Sequence, residues 1–147
     1  METMTLKIKK LGNRAVIPTY GSDFSAGADL YSASADTTIL PGQSQLISTQ
    51  LSFEIPEGYV GLIYARSGLA TKKGLAPANK VGVIDSDYRG EVLVCLHNHS
   101  SAPQTVVCGE RIAQIVITPY LKCNFTPCDD LSDTTRGQGG FGSTGQK

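Results

Sequence analysis

The chain is written in short runs of Val, Ile, Leu and Tyr cut at close intervals by glycine and proline, a rhythm that suits stacked strands and little else. Residues 6–11, 28–32, 38–40, 45–48, 51–55, 59–64, 80–84, 91–97, 104–107 and 112–120 carry these runs and read as strands. Pro41-Gly42, Pro56-Glu57-Gly58, Arg89-Gly90 and Cys108-Gly109 punctuate them at the spacing of a many-stranded sandwich or barrel. Helix preference is confined to residues 68–73, where Lys72-Lys73-Gly74 ends a turn or two. The expected fold is all-β, a distorted jelly roll or sandwich with one short helix.

At 147 residues, 40% hydrophobic and 18% charged, the chain suits one domain with its own core. Composition turns polar at Asp129-Asp130-Leu131-Ser132-Asp133-Thr134-Thr135. Residues 1–128 are therefore expected to form a single β domain and residues 129–147 a flexible glycine-rich arm. Thirteen basic side chains balance thirteen acidic ones, so no general field draws in nucleic acid or an anionic membrane, and any anion site must be local. No apolar run has the length to span a bilayer, and Met1-Glu2-Thr3-Met4-Thr5 lacks the basic start of a secretory signal. The expectation is an intracellular protein of the cytoplasm, or of the nucleus in a eukaryotic or virus-infected cell.

Four cysteines, Cys95, Cys108, Cys123 and Cys128, have the number for two disulfides or, with His97 and His99, for zinc, but their spacing supports neither. Cys95 and Cys108 lie in strand-like apolar runs, where a reduced thiol behaves as a small hydrophobe. His97 and His99 fall on one side of a strand near its end.

Five segments carry chemistry. In residues 136–145, Arg136-Gly137-Gln138-Gly139-Gly140-Phe141-Gly142-Ser143-Thr144-Gly145, glycines free the backbone N–H groups for an anion and Phe141 offers a flat face for a base. Residues 81–94 read as a β-hairpin whose polar tip holds Asp85, Asp87 and Tyr88. Asp87 suits an Asx turn, whereas Asp85 closes a strand where a carboxylate can hold a water for attack. Residues 65–70, Ala65-Arg66-Ser67-Gly68-Leu69-Ala70, lead a strand into the helical turn and present Arg66 and Ser67 to a phosphate; the alternative is that Ser67 simply caps the turn. Residues 109–114 enter a strand through the paired charges Glu110 and Arg111, and residues 26–31 contain Asp29.

In this order the five segments resemble the five motifs of the homotrimeric dUTP pyrophosphatases (dUTPases): residues 26–31, 65–70, 79–94, 109–114 and 136–145. One departure is Ala65, where the family often has proline. The resemblance implies a β-clip jelly roll that hydrolyses dUTP to dUMP and pyrophosphate, keeping uracil out of DNA and supplying dUMP for dTMP synthesis. It makes Asp85 the base for the attacking water and Tyr88 the ring under the deoxyribose, excluding a 2′-hydroxyl. Gly82, Val83, Ile84 and Leu93 would read uracil with the Asn79 amide, and Arg66, Ser67, Gly68 and Gln114 would contact the α and β phosphates. Phe141 would stack on uracil, with Arg136, Gly142, Ser143 and Thr144 around the γ-phosphate. Asp29 would hold Mg²⁺ through water, and the arm would reach a neighbouring subunit's site in a C3 trimer. Two alternatives stand beside this reading: a dCTP deaminase of the same fold, with Glu91 at the base, and a nucleotide-responsive interaction protein.

Overall fold

The computed structural model describes residues 3–145, which form twelve strands and one helix. Four short sheets share a single apolar interior. The largest runs in the order β2 (Thr19–Tyr20), β3 (Ala28–Tyr31), β12 (Arg111–Pro119), β7 (Tyr59–Tyr64) and β9 (Gly82–Ile84). Facing it, β5 (Ser44–Ser48), β10 (Leu93–Asn98) and β8 (Leu75–Pro77) make a second sheet, and the pairs β1 (Lys7–Lys10) with β6 (Leu51–Glu54) and β4 (Thr37–Ile39) with β11 (Gln104–Val106) close the sides. This is the distorted jelly roll expected from the strand rhythm.

Alternation along each strand explains the core. In β10, Val94, Leu96 and Asn98 point inward while Leu93, Cys95 and His97 point out. Leu30, Ile47, Leu51, Leu75, Leu96 and Ile112 are completely buried and come from six different strands, so the sheets are held together by one continuous apolar layer. Among the buried polar residues Ser32, Thr49, Ser52 and Asn98, Asn98 is fully satisfied: its amide donates to the carbonyls of Ile39 and Ala102, and its Oδ1 accepts from Ser100.

The helix α1 spans Ser67–Lys73 and stops where Gly74 takes the left-handed conformation at φ 65°, its N–H bonded to the Ala70 carbonyl at 3.0 Å. Only Leu69 is buried on it. Ser67 does not cap the helix: the cap position is Arg66, in extended conformation, with no side-chain capping bond.

The expected hairpin over residues 81–94 is not formed. Its first arm, β9, pairs with β7, and its second, β10, pairs with β5 and β8 in the other sheet, so residues 85–92 bridge two sheets. Alternation shows which face of a strand is apolar and is silent about its partner. β9 also begins later than expected, because Lys80 adopts φ 66° and the Val81 N–H bonds the Asn79 carbonyl in a tight turn. The two-residue β2 and the proline-ended β8 are too short to leave a periodic signal. Cys108 is exposed in the turn after β11, not inside a strand; its N–H is held by Asp36 at 2.9 Å.

Candidate active site

Four strands of the large sheet put Thr19, Asp29, Gln114 and Tyr64 in one cross-strand row, each directly opposite the next. Opposed residues share a face, so Asp29 and Gln114 project together beside the end of β7, where the chain turns into α1. Arg66, at that turn, donates from Nε to Asp29 Oδ1 at 2.8 Å, and Arg111 Nη1 approaches Oδ2 at 3.4 Å. Gln114 Nε2 donates to the Ala65 carbonyl at 2.9 Å, which fixes the amide and leaves Oε1 over Gly27. A Cβ built at Gly27 would lie 2.2 Å from that oxygen, so the close approach requires glycine.

Gly27, Asp29, Tyr64, Arg66, Ser67, Arg111 and Gln114 together line one open cleft of about 460 Å³. Gly68 lies in the first turn of α1 with open space where a side chain would go, so packing does not demand glycine there.

Arg111 and Tyr64 were not anticipated as members of this group. Glu110 and Arg111 do not pair with each other, contrary to the reading of that turn. Neighbouring residues entering a strand diverge: Glu110 binds Lys73 of α1 at 2.7 Å while Arg111 turns to Asp29. That alternation was the available signal.

The third segment builds a separate surface. Asp85 is exposed just beyond β9 and lines a second cleft with Val83, Ser86 and Arg89. The turn after it is closed by the Tyr88 N–H on the Asp85 carbonyl at 3.1 Å and by Arg89 Nη1 on the Ser86 carbonyl at 2.7 Å. Tyr88 folds back so that its hydroxyl donates to the Glu91 carbonyl at 2.7 Å, with its ring against Gly90. Gly82, Val83 and Ile84 pair only with β7, which leaves their other backbone edge unpaired among the described residues. Val83, Leu93 and Asn79 are exposed.

Beyond the Cys128 thiol on the Asp130 carbonyl at its root, the glycine-rich arm bonds only to itself among the described residues: Arg136 Nε donates to the Gly139 carbonyl at 2.7 Å, and the Ser143 N–H to the Gly140 carbonyl at 3.0 Å. Phe141 is fully exposed in a left-handed conformation. Arg136, Phe141, Gly142, Ser143 and Thr144 are therefore not brought to either cleft of their own chain.

His97 and His99 stand with ring centroids 4.5 Å apart, His97 Nδ1 within 2.8 Å of Ser44 Oγ. Local desolvation, then the charges of His97 and Lys80, hold His99 below the usual 6.5. Among the described residues no third ligand joins them.

Comparison with known proteins places these clefts in context. The dUTPase family profile matches residues 13–145, a span that contains all five segments. The chain belongs to the dUTPase family. It is 51% identical over 143 residues to the deoxyuridine 5′-triphosphate nucleotidohydrolase of Nautilia profundicola, covering 97% of this chain and 100% of that one. It is 46% identical to the enzyme of the same name from Hydrogenobaculum sp., covering 98% and 100%. Among solved structures, Staphylococcus bacteriophage 80alpha dUTPase with dUPNHPP superposes at a TM-score of 0.86 with 30% identity, over 98% of this chain and 100% of that one. A mutant dUTPase from phage phi11 of S. aureus, described as coordinating a structural Mg(II) ion, gives a TM-score of 0.77 at 26% identity, over 86% and 98%. In this dUTPase-family chain Asp29, Arg66, Ser67 and Gln114 share one cleft, Val83 and Asp85 line another, and the arm's candidates stand apart from both.

Proposed function

We infer that the chain is a dUTP diphosphatase, hydrolysing dUTP to dUMP and pyrophosphate by water attack on the α-phosphorus. The observation that carries this reading is the single cleft formed by Asp29, Arg66, Ser67 and Gln114, drawn from three of the five segments. Arg66 and Ser67 at the strand-to-helix turn, with Arg111 at the start of β12, would give a triphosphate charge-assisted donors. Arg66 would bind phosphate oxygens with its free nitrogens while Asp29 holds its Nε. Open space at Gly68 lets a phosphate approach the backbone.

The base would be Asp85. A water oxygen forms the new bond to the α-phosphorus, the bond from that phosphorus to the bridging oxygen breaks, pyrophosphate leaves with the electron pair, and the water's proton passes to the Asp85 carboxylate. The unpaired edge of Gly82–Ile84 suits the edge of a uracil ring, with Leu93 and the Asn79 amide as its further contacts. Tyr88 would sit beneath the sugar, and Phe141, Arg136, Gly142, Ser143 and Thr144 would close over base and γ-phosphate. Because the arm is detached from its own body, a neighbouring subunit's site is its natural destination, and a homotrimer brings both clefts and an arm together.

No three His, Cys, Asp or Glu side chains converge as a cage among the described residues, and both Asp29 oxygens face arginines. That donor set fits a magnesium ion carried by the triphosphate and its waters, with Asp29 accepting from a bound water. The ion would neutralise charge on the leaving pyrophosphate.

The deaminase alternative is disfavoured by Glu91, whose carboxylate is engaged by Ser48 and by the Gln50 N–H at 2.8 Å. An added role as an interaction protein draws support from phage 80alpha dUTPase, described as controlling transfer of virulence genes by a G protein-like mechanism. A pull-down whose yield changes with dUTP would support that role. The test of the main reading is pyrophosphate release from dUTP, dCTP, dTTP and UTP with Mg²⁺, ammonia followed in parallel. Release from dUTP alone is the expected result, and ammonia from dCTP would overturn it.

A further inference from the structure

The corner between β5 and β6, residues 48–52, grips the stretch that follows Tyr88 at Arg89, Glu91 and Val92. Ser52 Oγ donates to the Arg89 carbonyl at 2.6 Å, Thr49 Oγ1 to the Val92 carbonyl at 2.6 Å, and the Val92 N–H to the Leu51 carbonyl at 2.8 Å. At the centre of this seam is Glu91, whose Oε1 accepts from Ser48 Oγ and from the Gln50 N–H. The corner is itself strained and braced. Gln50 has φ 53°, a left-handed conformation for a non-glycine residue, and its side-chain oxygen accepts the Arg14 N–H at 3.1 Å while its carbonyl takes the Leu11 N–H at 2.8 Å.

Glu91 is also the residue whose main-chain carbonyl receives the Tyr88 hydroxyl. Its side chain therefore anchors, through the corner, the atom that fixes the tilt of the Tyr88 ring. Gly90 makes room for the ring, since a Cβ there would lie 2.5 Å from the phenol oxygen.

We propose that Glu91 is a positioning residue for sugar discrimination, setting the Tyr88 ring at the height that admits a deoxyribose and rejects a ribose. The proposal rests on the dUTP reading above. A ring that excludes a single hydroxyl works only if it cannot yield, and the β5–β6 corner supplies the stiffness.

Steady-state kinetics with dUTP and UTP, on wild type, Glu91→Ala, Glu91→Gln and Ser48→Ala, tests it alongside thermal melting. Wild-type turnover of dUTP is read first, and its absence removes the dUTP reading itself before any variant is compared. With that turnover present, Glu91→Ala loses about tenfold of the dUTP-over-UTP preference in kcat/KM, mainly because the loosened ring admits UTP. Glu91→Gln, whose amide oxygen still accepts the Gln50 N–H, restores the preference. Equal losses on both nucleotides, or a lowered melting temperature with the preference intact, would overturn the proposal. If Glu91→Ala does not fold, Ser48→Ala decides: a weakened preference supports the seam, and an unchanged one overturns it.

Discussion

Arg66 and Asp29 meet at 2.8 Å, Nε to Oδ1, joining the end of β7 to the middle of β3 along the edge of the cleft they share with Gln114. Both side chains are largely shielded, at 25% and 13% exposure, so the pair is not an ordinary surface bridge. In the dUTP reading it would hold a cation ready for the triphosphate.

Replacing the anchor should therefore cost binding more than folding. Asp29→Asn leaves Arg66 Nε without its ionised acceptor, a loss of about 1 to 3 kcal/mol locally. The expected outcome is a fall in kcat/KM for dUTP of about tenfold or more, with a folded protein by circular dichroism. Unchanged kinetics would remove Asp29 from the site.

Gly27 tests the Gln114 amide without touching it. In Gly27→Ala the new Cβ meets Gln114 Oε1, and the amide must leave the Ala65 carbonyl. Activity should drop about tenfold to a hundredfold, given the sensitivity of oriented contacts to small displacements. Wild-type kinetics in this variant would show that the Gln114 side chain is free to move.

Gly90→Ala pushes on the Tyr88 ring, and Tyr88→Ala removes it. Both should relax discrimination against UTP while dUTP turnover persists at a reduced level. Parallel kinetics on the two nucleotides read this directly. Unaltered selectivity in both variants would place sugar recognition elsewhere.

A chain ending at Thr135 should melt like the full protein, because the arm beyond it makes no hydrogen bond to the body among the described residues. Turnover should nevertheless fall on the order of a hundredfold, the loss expected when a closing element is removed. An unchanged rate would reduce the arm to a tail.

The large elements of this fold were legible because their signals are redundant. β7, β10 and β12 carry six to nine residues of unbroken apolar or alternating character. Partner choice was not legible: β9 goes to β7, and β10 is claimed on both sides by β5 and β8, a global competition for backbone edges that no local window contains. The site was visible in outline through its ordered motifs, and Asp29, Arg66, Ser67 and Gln114 do converge. What escaped were residues whose role depends on facing. Arg111 and Glu110 read as a pair and serve different partners, and Glu91, which entered only as the carboxylate of the deaminase alternative, is the centre of the seam behind Tyr88.

The most direct test of the account is a paired measurement on Asp85→Asn: single-turnover release of pyrophosphate from dUTP with Mg²⁺, and binding of a non-hydrolysable dUTP analogue by the same preparation. The account predicts that turnover falls by about a thousandfold or more, the scale of losing a general base, while analogue affinity stays near wild type. Turnover retained with unchanged binding would contradict Asp85 as the base.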